Sequence, residues 1–88
     1  MTNEYTNTKR YIKQIKSLNL ALAKSQMSET QVKNTLESWS FDVDFYDIAN
    51  VNSNVQDSLV ECLYGDLKTH LPQLKFYLES TLEMLEDF

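Results

Sequence analysis

A single glycine, Gly65, and a single proline, Pro72, stand in the whole of this 88-residue sequence. The tight hairpins of β-sandwiches and barrels draw heavily on those two residues, so their scarcity points away from all-β architectures and towards helices. It also excludes a glycine-rich phosphate loop, which needs several glycines for close backbone approach. The lone cysteine, Cys62, excludes an internal disulfide and a cysteine-based metal cluster, and it fits a reducing compartment. The longest apolar stretch, Leu18–Ala23, is interrupted by Asn19. It is too short for a bilayer span or a secretory apolar region. A soluble, cytoplasmic protein with no membrane association and no cofactor is therefore expected.

What the chain does have is hydrophobic residues at 42%, four Phe, five Tyr and one Trp. That is enough for one small core and is not a disordered composition. Its charge, −5 overall, is unevenly spread. Residues 1–33 hold Lys9, Arg10, Lys13, Lys16, Lys24 and Lys33 against only Glu4 and Glu29. Residues 34–88 hold Lys68 and Lys75 against eleven acids. The molecule is bipolar along its sequence.

Residues 1–7 are polar and patternless and read as a flexible arm, leaving residues 8–88 as a single helical domain. From Thr8, a candidate N-cap, Tyr11, Ile15, Leu18 and Leu22 recur at helical spacing, with Lys9, Lys13 and Lys16 opposite. Ser28-x-x-Gln31 has the form of a capping box and opens a second helix, about 29–38, with Val32, Leu36 and Trp39 on one stripe. The next stretch is ambiguous. Phe41, Val43 and Phe45 alternate with Asp42 and Asp44 as in a strand, yet Phe41, Phe45 and Ile48 also align on a helix. No second alternating segment offers a partner strand, so a short helix over about 42–49 is favoured.

Asn54 is a candidate cap for a fourth helix, with Asp57 in its first turn. Val55, Leu59, Leu63 and Leu67 step by four, and Val60, Cys62 and Tyr64 widen the apolar arc, which suggests a central helix. Gly65 suits its end. Pro72 is expected to force a break near Leu71 and to start the last helix from its first turn. There Leu71, Leu74, Leu78, Leu82 and Leu85 form a short seam. The expected fold is all-α: a compact bundle of four to five short helices, the Leu-rich C-terminal one packed on the central one.

Candidate chemistry is sparse. Asp42-x-Asp44-x-x-Asp47 resembles a calcium loop only superficially, because the sixth loop position is Asp47 instead of glycine and the twelfth is Ser53 instead of glutamate. No metal site is expected. His70 stands one turn from Asp66, but no nucleophile beyond Thr69 lies near in sequence, and Cys62 falls on an apolar arc. No enzyme activity is expected. A helix-turn-helix reading of the second and third helices fails, because Asp42, Asp44 and Asp47 occupy the segment that would need Lys and Arg.

The acidic residues remain. Glu79, Glu83 and Glu86, with Asp87, run down one side of the last helix, where like charges repel by about 0.2–0.5 kcal/mol per pair. Two plain accounts are neutralisation by Lys9, Lys13 and Lys16 on a neighbouring helix, and an ordinary solvated face. A third is docking on a basic protein surface of the kind that handles nucleic acid. The expected contact set for that role is Asp42, Asp44, Asp47, Asp57, Glu61, Glu79, Glu83 and Glu86, flanked by Tyr77. Similar size and charge occur among phage and plasmid inhibitors of restriction and CRISPR nucleases and among immunity proteins, an analogy of build alone. On this expectation the protein binds no nucleic acid itself and is a monomer or weak homodimer. The alternative is an assembly protein that pairs through the leucine seam of residues 71–85.

Overall fold

Apolar residues spaced by three and four along most of the chain leave helix packing as the way to hide them. The computed structural model describes residues 3–86, and Asp87 at the end of the acidic row lies outside them. It forms α1 (Asn3–Ala23), α2 (Glu29–Trp39), α3 (Val43–Val51), α4 (Ser53–Tyr64) and α5 (Leu67–Glu86), with no strand among the described residues. The all-α bundle expected from the sequence is the fold.

Helices α1 and α4 are the two walls. Helix α5 bridges them on one side, and α2 and α3 bridge them on the other. Tyr5 of α1 reaches Glu86 of α5, while Asn19 and Ala23 lie beside Lys68 and Leu71, so α1 and α5 are antiparallel. Asn52 meets Thr81 and Glu61 meets His70, so α4 also runs antiparallel to α5. Between these layers Tyr11, Ile15, Leu36, Phe45, Ile48, Leu59, Leu71, Leu74 and Leu78 are fully buried.

Local starts and stops follow identifiable chemistry. The Ser28 hydroxyl accepts from the Gln31 N–H at 3.1 Å and the Gln31 carbonyl oxygen from the Ser28 N–H at 2.8 Å, so the capping box forms. Helix α1 ends in a Schellman arrangement. The Gln26 N–H bonds to Ala21 O at 2.8 Å and the Ser25 N–H to Leu22 O at 3.2 Å, with Ser25 at φ 59 where glycine is usual. Gly65 closes α4, because a Cβ there would sit 2.8 Å from Glu61 O.

Several boundaries differ from expectation. Helix α1 begins at Asn3, so residues 3–7 of the expected arm are helical. Thr8 is no cap: it is fully buried inside α1 and donates its hydroxyl to Glu4 O at 2.6 Å. A tertiary contact, Tyr5 OH to Glu86 Oε1 at 3.3 Å, holds this added turn. The cap of α4 is Asn52, whose side chain accepts from the Asn54 N–H at 3.1 Å. Pro72 lies inside α5 and does not start it. Proline there forfeits one backbone bond, to Lys68 O, and the turn ahead of it is secured from both ends. The Thr69 hydroxyl donates to Asp66 Oδ2 at 2.5 Å, and Leu67 and Leu71 are anchored in the core. That hydroxyl, helped by the Lys68 and Thr69 N–H groups, holds the Asp66 carboxyl below its ordinary range.

Candidate protein-docking surface

Helix α3 is fixed in place by aromatic contacts and carboxylates. Tyr11 of α1 meets Trp39 of α2 edge-on at 5.0 Å and Phe45 of α3 at 5.4 Å, tying three helices together. The Tyr11 hydroxyl donates to Asp42 Oδ2, and the Arg10 guanidinium lies 4.5 Å above the Tyr11 ring. Burial, reinforced by the Asp42 carboxylate, pushes the Tyr11 phenol well above its ordinary range. The other Asp42 oxygen caps α3 by accepting from the Asp44 N–H at 3.1 Å. Arg10 also reaches Asp44 Oδ2 at 3.4 Å.

The three aspartates therefore do different things. Asp42 is a structural cap, Asp44 is a half-exposed partner of Arg10, and Asp47 points to solvent with no partner among the described residues. No group of three or more His, Cys, Asp or Glu side chains placed to hold a metal ion occurs among the described residues.

With Phe45, Ile48 and Ala49 turned inward, Val43, Tyr46, Asp47 and Asn50 share the outer face of α3 at spacings of three and four. Helix α4 repeats the pattern. Val55, Leu59 and Cys62 point inward, while Asp57, Val60, Glu61 and Tyr64 line the outside. This corrects the wide apolar arc expected for α4: Val60 and Tyr64 are exposed, and Leu67 belongs to α5. Phe41 is 82% exposed, Val43 71%, Tyr46 64% and Tyr64 86%, far more than a core would leave in water. No Lys, Arg or His lies between Lys33 and Lys68, whereas Glu37, Asp42, Asp44, Asp47, Asp57, Glu61 and Asp66 do. The α3–α4 face thus combines exposed aromatic area with a surplus of acidic groups, offset by Arg10 at Asp44.

The remaining residues of the expected contact set lie elsewhere. Glu79, Glu83 and Glu86 sit on the flank of α5 that turns towards α1. Glu79 pairs with Lys75 at 3.9 Å, and Glu86 accepts from Tyr5. Lys16 shares a hollow with Pro72 and Lys75 of α5, and Lys9 lies over the ring of Tyr5, whereas Lys13 turns towards Thr35 of α2. No ion pair among the described residues joins these lysines to Glu79, Glu83 or Glu86. Tyr77 is half-buried on the opposite flank of α5, where it packs against the core. The exposed aromatic beside Glu79 and Glu83 is instead Phe76, at 61%. Asp57 and Glu61 are separated from that row by the width of α5.

Two chemistry-bearing residues are spoken for. Cys62 is fully buried, and burial pushes its thiol up to about 12. The Asp66 carboxylate makes no hydrogen bond or ion pair with the His70 ring, although the two interact through space. His70 lies with Nε2 3.6 Å from Glu61 and Nδ1 3.0 Å from Gln73 Oε1. No helix among the described residues is long and apolar enough to cross a membrane.

Phe41, Val43 and Tyr64 were not expected at the surface because each fits an apolar periodicity, and Tyr46 was assigned to no face. A signal was nonetheless present. Once α3 is helical with Phe45 and Ile48 inside, Val43 and Tyr46 fall on the other side. Comparison with protein-family models, curated proteins and solved structures yields no match.

Proposed function

We propose that this is a non-enzymatic binding protein whose α3–α4 face docks on a basic protein surface, one that handles nucleic acid. The observation that carries this reading is the pairing of Phe41, Val43, Tyr46 and Tyr64 in solvent with a run of chain, 34–67, that holds acids and no bases. Exposed aromatics supply the desolvated anchors of an interface, and an excess of negative charge around them selects a partner of opposite sign. Extended basic surfaces on proteins exist chiefly to hold phosphate backbones, so such a partner is an inhibitor's target more readily than a scaffold's. The leucine seam offers less for assembly, since Leu71, Leu74 and Leu78 are already consumed inside the bundle.

The test passes nuclease-treated extract of the native host over the immobilised protein and over a Phe41→Ser/Tyr46→Ser variant of equal melting temperature. The wild-type chain is expected to retain a protein with a basic surface. Added duplex DNA or RNA should compete for it, salt should weaken it, and the variant should lose it. Identical retention by both forms would sink the reading.

A further inference from the structure

Resting on that docking reading, we propose that the groove between α3 and α4 receives a single arginine side chain of the partner. The groove, of about 380 Å³, is lined among others by Phe45 and Tyr46 of α3 and by Ser53, Gln56 and Asp57 of α4. Asp57 is the only charged residue in that lining. It is exposed and makes no hydrogen bond or ion pair within the bundle among the described residues. An unpaired carboxylate beside an exposed tyrosine ring suits a planar cation, which pairs with one and stacks on the other. Asn50 lines the same groove, and its amide oxygen together with that of Gln56 and the Ser53 hydroxyl gives further acceptors. A guanidinium has five N–H donors in a fixed fork to spend on them, an ammonium only three on a compact point charge.

Helix dipoles do not decide against a cation. Asn50 is in the last turn of α3, whose carbonyl end attracts positive charge, and Ser53 is in the first turn of α4, whose amide end repels it. The two ends meet at Asn52 and oppose each other, and the one formal charge in the groove lining is that of Asp57. The chain does not fill the groove itself. Its one arginine, Arg10, is held by Asp44 and the Tyr11 ring.

The site is tested by following backbone amide shifts of the ¹⁵N-labelled protein during titration with Nα-acetyl-arginine amide, with the lysine and citrulline counterparts as controls. Saturable shifts are expected at Tyr46, Asn50 and Gln56 with the arginine probe. Citrulline, which keeps the shape but not the charge, should bind at least about tenfold more weakly. Asp57→Asn, exposed and outside the core, should lose the arginine response while keeping the dispersion of a folded spectrum. Citrulline equal to arginine, a response surviving in Asp57→Asn, or shifts located elsewhere would overturn the assignment, and lysine equal to arginine would refute its arginine specificity. The two failures are separable. If the Phe41→Ser/Tyr46→Ser variant loses its partner while Asp57→Asn binds the probe unchanged, docking stands and the arginine site falls. If the probe binds through Asp57 but no partner distinguishes the variants, the docking reading falls instead.

Discussion

Asp42 shows how a residue that reads as surface charge becomes structural. One oxygen caps α3 and the other accepts from Tyr11, so an acid from a loop fastens α1 to α3. Hydrogen bonds to charged acceptors are worth about 1.5–3 kcal/mol when lost. Tyr11→Phe removes the donor and keeps the ring contacts with Trp39 and Phe45. We expect it to cost about that much, measured by urea unfolding at pH 7. The pH dependence has a definite sign. The folded phenol titrates above the unfolded one, so its contribution is complete below pH about 10 and is lost as pH rises through the folded value. Wild-type stability should therefore fall on the alkaline side of pH about 10, and that fall should be shallower in Tyr11→Phe. Equal alkaline slopes would show that the phenol is not held in this way.

At the scale of elements, the sequence placed helix interiors well and helix ends less well. The Ser28 capping box was legible because both partners sit three residues apart and act locally. The first turn of α1 was not, since Tyr5 finds its partner 81 residues away. Pro72 misled for a related reason: the cost of proline in a helix is local, whereas the burial of Leu67 and Leu71 that offsets it is tertiary. Helix α3 resolved in favour of the helix because Asp42 caps it and no strand among the described residues is available to pair with. The leucine row of α5 behaves as its spacing implies. Leu78 is fully buried, so Leu78→Ala should cost about 2–5 kcal/mol by chemical denaturation. In a domain of this size that is a large share of a total stability of about 5–15 kcal/mol. An unchanged midpoint would mean α5 is not seated as described.

Across the whole molecule, the bipolar sequence folds so that the acids of α5 lie near lysines of α1, while the acids of α3 and α4 outnumber the cations beside them. The acidic row of α5 borders Lys9 and Lys16 of α1, whereas on α3 and α4 Arg10 meets Asp44, His70 meets Glu61, and Asp47 and Asp57 have no partner among the described residues. Reversing Glu79 and Glu83 to lysine would break the Lys75–Glu79 pair and set like charge beside Lys75, Lys16 and Lys9. The expected cost at low ionic strength is about 1 kcal/mol, read as a melting temperature lower by several degrees. In 1 M salt the screening length falls to about 3 Å and the difference should largely vanish. Retention of the partner, which this reading assigns to α3–α4, should be unaffected. A stable double variant that loses its partner would move the docking site to α5.

What the sequence determined by itself is whatever depends on near neighbours along the chain. The helical class follows from periodicity and the lack of glycine and proline, the α2 start from its capping box, and the burial of Val32, Leu36, Leu74 and Leu78 from their stripes. The charge asymmetry was also plain. Only the tertiary structure decided which acids share a surface, because that depends on which flank of each helix meets which neighbour. It split Glu79, Glu83 and Glu86 from Asp57 and Glu61, withdrew Tyr77 into the packing and turned Val43, Tyr46 and Tyr64 outward. An apolar residue at helical spacing carries the same periodic signal whether its side of the helix is covered or bare, and covering requires a second helix that residue spacing does not locate.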